Sequence, residues 1–341
     1  MSFNLKKILK KLLILIFFYS NYTLSDTNNF LNLYSARQSV LMETLINAFQ
    51  KKTDIKVNII AAKASQLINR IEAEGKYTKA DVLLTTDVGR LIYAKNKKLF
   101  KAVDSTYLKK VIPNKFKDKD NQWFGLSLRS RIFIYNKNKV KKEELFGYID
   151  LADKRWKKRV MVRSSNNVYN QSLVSAMLLN YGEKRVNSFL KNFVNNFSRK
   201  PSGGDRDQIR AVVSGEGDIA LVNSYYYFKM KFNDKENFLK DINLHFPRDN
   251  SMKTHVNISG AGIIKFSKNY GNAVKFLEYM VSNEAQKIYA DINYEYPISN
   301  NLNISTELKK YKIPEQDGLR LEKIGIVNKK ATILMDRAGW K

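Results

Sequence analysis

Trp123 to Tyr135 reads WFGLSLRSRIFIY, a long strand-like stretch without a helical period. A second stretch of the same kind, THVNISGAGII, runs from Thr254 to Ile264. Around them, shorter strand and helix patterns alternate. FLNLY at 30–34 alternates apolar and polar residues and predicts a strand. From Val40 to Lys52 the apolar residues fall at 41, 42, 45, 46 and 49, a helical period. IKVNIIA at 55–61 predicts a strand, and ASQLINRIEAE at 64–74 a helix stopped by Gly75. ADVLLTT at 80–86 predicts a short buried strand, followed by a helix over 88–97. This β-α-β-α-β rhythm implies a parallel sheet covered by helices. Downstream, VMVR at 160–163 precedes a polar loop and a helix over 170–180, and DIALV at 218–222 leads into a helix through Asn223 and Ser224. Helices are predicted at 270–282 and 284–293, and the C-terminus from Thr306 reads as helices with loops. No Pro/Gly/Ser-rich linker divides the chain into sequential halves. The two long stretches are therefore read as strands crossing between two discontinuous α/β lobes. Residues 26–130 with 257–305 form one lobe, and 131–256 with 306–341 the other. The ligand cleft is expected between them.

The first 25 residues stand apart. Lys6, Lys7, Lys10 and Lys11 precede an apolar core, LLILIFF at 12–18, too short to span a bilayer. A polar stretch follows, with Thr23 and Ser25 as small residues before an expected cleavage at Ser25–Asp26. This is a secretory signal pattern. No later stretch approaches the roughly 18 apolar residues of a membrane helix. Cysteine is absent, which excludes disulfides, thiolate metal sites and a lipid-modified N-terminal Cys. A free periplasmic protein, not lipid-anchored, is the expectation. With only His245 and His255, sites that need several histidines are excluded too.

The 341 residues carry 60 Lys+Arg against 32 Asp+Glu, a formal charge of +28 that falls to +24 without the four leader lysines. The lysines are dispersed along the chain, and no zinc-finger, helix-turn-helix or RNP signature accompanies them. A solvated surface is read here and no nucleic-acid partner.

Nineteen tyrosines include one consecutive run, Tyr225-Tyr226-Tyr227, where a predicted strand meets a predicted helix. Side chains of a first helical turn can converge on one external point, and the helix N-terminus favours an anion or phenolate there. A phenol titrates near ~10, so a phenolate at neutral pH needs a strong cationic partner, and a hard trivalent metal supplies one. Packing at a lobe interface and stacking on an organic solute are the competing readings of the run. Tyr169 stands in RSSNNVYNQS at 163–172, a Ser- and Asn-rich loop of the kind that faces a cleft. Asp87, at a strand end, is read as the N-cap of helix 88–97, with a cleft ligand as the alternative.

The sequence resembles the periplasmic ferric-ion-binding proteins of ABC transporters, the bacterial transferrins. The segments carrying the resemblance span nearly the whole mature chain: LNLYSARQ (31–38), ADVLLTTDVGRL (80–91), WFGLSLRSR (123–131), VYNQSL (168–173), GGDRDQI (203–209), GDIALVNSYYY (217–227), HVNISGA (255–261) and YEYP (294–297). The resemblance implies a class II two-lobed periplasmic binding protein. The family's Asn-x-Tyr-Tyr segment falls on Asn223, Tyr225 and Tyr226, which implies two metal-binding tyrosinates, and a Tyr-Asn-Gln segment places a third at Tyr169. Where many relatives carry His-Tyr after Ser-x-Arg, this chain has Gln38 and Ser39. The first lobe is then expected to offer hydrogen bonds, a water or a bound anion. Arg37, Gln38, Arg129 and Lys229 are candidates for supporting the tyrosines or holding a synergistic anion.

The expected function is capture of iron, Fe(III) by preference, by a monomer that delivers it to an inner-membrane ABC permease and its ATPase. No catalytic constellation is seen. The alternatives are an anion or small organic-solute receptor of the same fold, a basic nucleic-acid- or membrane-binding protein, and an exported hydrolase.

Overall fold

The computed structural model describes residues 29–234, 237–299, 306–311, 315–316 and 318–341, so the signal reading lies outside the described residues. In chain order the strands are β1 (Phe30–Ser35), β2 (Lys56–Ala61), β3 (Val82–Thr85), β4 (Phe124–Asn136), β5 (Val160–Met161), β6 (Ile219–Asn223), β7 (Ile242–His245), β8 (Val256–Ile263) and β9 (Tyr296–Pro297). The helices are α1 (Glu43–Thr53), α2 (Ala64–Glu74), α3 (Val88–Asn96), α4 (Thr106–Val111), α5 (Val168–Tyr181), α6 (Glu183–Phe193), α7 (Asp205–Val213), α8 (Ser224–Phe232), α9 (Tyr270–Met280), α10 (Asn283–Asp291), α11 (Thr306–Lys309) and α12 (Glu322–Arg337). No helix among the described residues is long and apolar enough to cross a membrane.

The strands follow the order β2-β1-β3-β8-β4-β6-β5, with β7 and β9 also pairing on β4. The predicted β-α-β-α-β start is present: β1 pairs in parallel with both β2 and β3. Gly75 ends α2 with φ 53°, a backbone conformation that a residue with a Cβ resists. β4 changes partner midway. Phe124–Ser130 pair antiparallel with β8, and Arg131–Tyr135 pair antiparallel with β6. Its 13 residues are buried up to the last, because both faces of a strand running between two packed units are covered. The first half-sheet is therefore β2-β1-β3-β8 with the start of β4, and the second is the end of β4 with β6, β5 and β7. Tyr148 fastens the crossing: its hydroxyl donates to the Arg131 carbonyl (2.7 Å) and accepts from His255 N–H (2.9 Å). His255 is wholly buried there, and burial beside Arg131 and Arg129 holds its imidazole neutral, down to about 3.

The sequence reading did not single out α4, α6, α7, β7 or β9. It placed the start of α5 two residues late, because Asn167 caps that helix through Oδ1 on the Tyr169 N–H (3.1 Å). Tyr169 thus lies in the first helical turn rather than in the loop before it.

Candidate metal centre

Two helix N-termini of the second half-sheet present the tyrosines. β6 runs into α8, and Ser224 ties that junction to the crossing strand by accepting from the Ser130 N–H at 3.2 Å. Tyr225 and Tyr226 follow in the first turn, with ring centroids 4.1 Å apart and planes inclined by 32°. They are nearly buried, at 5 % and 8 % exposure, and Tyr169 is comparable at 9 %. Tyr227 turns the other way: its hydroxyl donates to the Ile242 carbonyl (3.1 Å) inside the core. The triple run therefore divides into two phenols lying against each other and one core-packing residue.

Electrostatics places the three phenols together. Burial pushes Tyr225 well above the usual range, and Tyr169 and Tyr226 are the next causes. Burial likewise raises Tyr226 to about 12, with Tyr169 again next. At neutral pH Tyr225 and Tyr226 are thus protonated, and deprotonating them requires a cation placed among them. Among the described residues no group of three His, Asp or Glu could hold a metal ion.

A layer of cations lies behind and beside them. The Arg129 and Arg163 guanidiniums lie 5.0 Å and 5.8 Å from the Tyr169 ring centre, and Arg206 lies 5.1 Å from that of Tyr226. Asp205, fully buried, accepts from Arg131 Nη1 (2.9 Å), Arg163 Nη1 (2.6 Å) and the Asn223 N–H (2.8 Å). Asn170 accepts from Arg131 Nη2 (2.7 Å) and donates to the carbonyls of Arg163 (3.0 Å) and Ser164 (3.1 Å), pinning the loop before α5. These contacts hold both tyrosine-bearing turns on one charged frame.

The first-half residues are placed as follows. Arg37, 3 % exposed, is spent on Glu295, which also accepts from Ser127 Oγ. Burial opposes its charge, but Glu295 beside it holds the guanidinium well above its ordinary range. Arg37 and Arg129 both donate to Ser259 Oγ, at 2.6 Å and 2.9 Å. Arg129 has no carboxylate in salt-bridge contact among the described residues; its other donor reaches the Ile258 carbonyl (2.9 Å). Gln38 and Ser39 are exposed, and neither side chain bonds a described residue. Lys229 is half-buried; burial lowers its ammonium, followed by repulsion from Arg206 and Arg37. Asp87 caps α3 through the Gly89 N–H (2.8 Å) and also accepts from Ser172 Oγ (2.7 Å) and Asn257 Nδ2 (2.9 Å). Its oxygens are thus engaged by protein donors.

Glu295 and Asp205 escaped the sequence reading. Glu295 sits in YEYP and Asp205 in GGDRDQI, both segments quoted above, but an isolated acid gives no sign of burial. Tyr294 before Glu295 has φ 57°, a conformation that costs a bulky residue about 1 kcal/mol.

The profile of the bacterial extracellular solute-binding protein family matches residues 78–321. The chain belongs to that family. The iron uptake protein A1 of Synechocystis is 41 % identical over 314 residues, covering 91 % of this chain and 87 % of that protein. The Fe(3+)-binding periplasmic protein of Serratia marcescens is 29 % identical over 309 residues, covering 90 % of this chain and 89 % of that one. Among solved structures, Trichodesmium IdiA (FutA), in complex with iron and citrate ligands, superposes with a TM-score of 0.86 at 42 % identity. That match covers 92 % of this chain and all of the Trichodesmium chain. The fold is thus a two-lobed α/β binding protein, as expected from the two crossing strands.

Proposed function

We propose that this protein captures Fe(III) through the phenolates of Tyr169, Tyr225 and Tyr226. The observation that carries the proposal is the set of three mutually interacting, nearly buried phenols backed by cations. A trivalent ion balances three phenolates, and the arginines ease their ionisation. All three donors come from the second half-sheet. The exposed Gln38 and Ser39 leave the remaining coordination positions to water or an oxygen-donor anion, with Arg129 and Lys229 beside it. The lobes are 26–130 with 257–305 and 131–256 with 306–341; the change of β4 partner between Ser130 and Arg131 supports that boundary. After removal of its leader the protein works as a periplasmic monomer. It hands its cargo to an inner-membrane ABC permease with its ATPase, and it carries out no reaction on the ion. The iron-uptake and Fe(3+)-binding relatives support the same reading.

Equilibrium dialysis against Fe(III)-citrate tests it. One ion per chain, with uptake lost in Tyr169→Phe/Tyr226→Phe, is expected. Uptake of citrate with no iron would instead make the protein an organic-anion receptor.

A further inference from the structure

The C-terminal helix α12 is held at its two ends by different halves of the molecule. At its start, the Leu321 N–H donates to the Lys115 carbonyl (3.3 Å) and Glu322 lies 3.8 Å from Lys95 of α3, both in the part of the chain that precedes β4. Just past its end, Trp340, 1 % exposed, donates through Nε1 to the Arg163 carbonyl (2.9 Å), and midway along it Lys330 pairs with Glu183 of α6. The Arg163 end is the loop that carries Tyr169 into place. Between these ends α12 runs antiparallel to α3 with matching three-residue steps. Glu322 faces Lys95, Gly325 faces Ile92 and Asn328 approaches Gly89.

The middle step is the tightest. A Cβ on Gly325 would stand 2.4 Å from Ile92 Cγ2 and 2.8 Å from Ile92 Cβ. Carbon atoms in ordinary contact are about 3.5–4.0 Å apart. Because Ile92 Cβ is itself too close, no rotamer of Ile92 removes the overlap, and the two helices must separate by roughly 1 Å. α3 is capped by Asp87, whose Oδ1 accepts from Ser172 Oγ one turn beyond Tyr169. The α3–α12 crossing therefore lies along the seam between the lobes.

We infer that α12 is a strap between the lobes and that the Gly325–Ile92 crossing sets how far they close over the tyrosines. Gly325, Ile92 and Trp340 act as positioning residues and touch no cargo. Applied to iron retention, the inference rests on the proposed function. The strap itself is readable without iron.

The chain has no cysteine, so Ser65→Cys and Ser188→Cys, both at exposed positions, give clean labelling sites on the two halves for interlobe distances by pulsed EPR. Gly325→Ala raises the helix propensity of α12, so opening cannot come from helix loss. With and without Fe(III)-citrate, Gly325→Ala should shift the distance distribution to longer values. Ile92→Gly in the same chain removes the Cβ that the new methyl meets and should bring it back. Loaded Gly325→Ala should keep the wild-type visible band yet release iron to a chelator about tenfold faster, the size expected of an overpacked contact. A distance distribution unmoved by Gly325→Ala, or a shift that Ile92→Gly does not reverse, overturns the strap. A wild-type protein that takes up no Fe(III) overturns the iron reading, and the distances then decide the strap alone.

Discussion

Replacing Asp205 by alanine removes the carboxylate shared by two guanidiniums. Arg131 is 2 % exposed at its side chain and Asp205 0 %, so the cation left behind has no solvent to turn to. Losing one partner of such a buried pair costs about 3–5 kcal/mol. The Asn223 N–H also loses its acceptor at the entrance to the tyrosine helix. For a protein of this size, about 2–4 °C of midpoint shift accompanies each kcal/mol. The iron-free Asp205→Ala variant should therefore melt about 10 °C below wild type when followed by circular dichroism. Asp205→Asn keeps the shape and an acceptor oxygen but not the charge, so it should fall between the two. The site should suffer as well, since Arg163 beside Tyr169 is anchored by the same carboxylate. A midpoint within about 2 °C of wild type would refute the reasoning. It would mean that the two arginines are as well accommodated without their acid as with it.

Two further outcomes follow from the same geometry. Tyr225 and Tyr226 are neutral phenols without cargo, Tyr226 pushed up to about 12, so binding as phenolates must expel their protons. Affinity should then rise with pH throughout the range below those values, by about a decade per unit for each proton released. Binding constants at pH 6 and pH 8, corrected for ferric citrate hydrolysis, check this, and a flat profile would contradict phenolate ligation. Glu295→Gln leaves Arg37 buried without its counter-ion and should lower stability by about 3 kcal/mol in urea denaturation. Arg37→Met in the same chain should recover much of it, because the unpaired charge is then gone.

Much of this arrangement was readable in the chain because it follows from period and residue type. WFGLSLRSRIFIY is strand-like throughout, and β4 occupies 124–136. Gly75 stopped its helix where expected. The tyrosine pair stood out because three consecutive tyrosines at a strand–helix junction are rare by composition. What stayed hidden depends on partners remote in sequence. Glu295 meets Arg37 across 258 positions, and nothing local distinguishes it from a surface acid. Asp205 becomes a hub only when Arg131 and Arg163 fold around it. β7 and β9, four and two residues long, carry too few alternations to register as strands. Asn167 proved to cap α5, so the helix starts at Val168 rather than Asn170 and Tyr169 falls in its first turn. The strap role of α12 was invisible because a single glycine in a helix reads as a mild breaker, whereas here it admits Ile92.

The measurement closest to the central claim is the visible absorption spectrum of the protein loaded from Fe(III)-citrate, with Tyr226→Phe alongside. The account predicts a broad phenolate-to-iron charge-transfer band in wild type that is lost or shifted in the variant. A colourless wild-type protein, or a band indifferent to the loss of Tyr226, would contradict it.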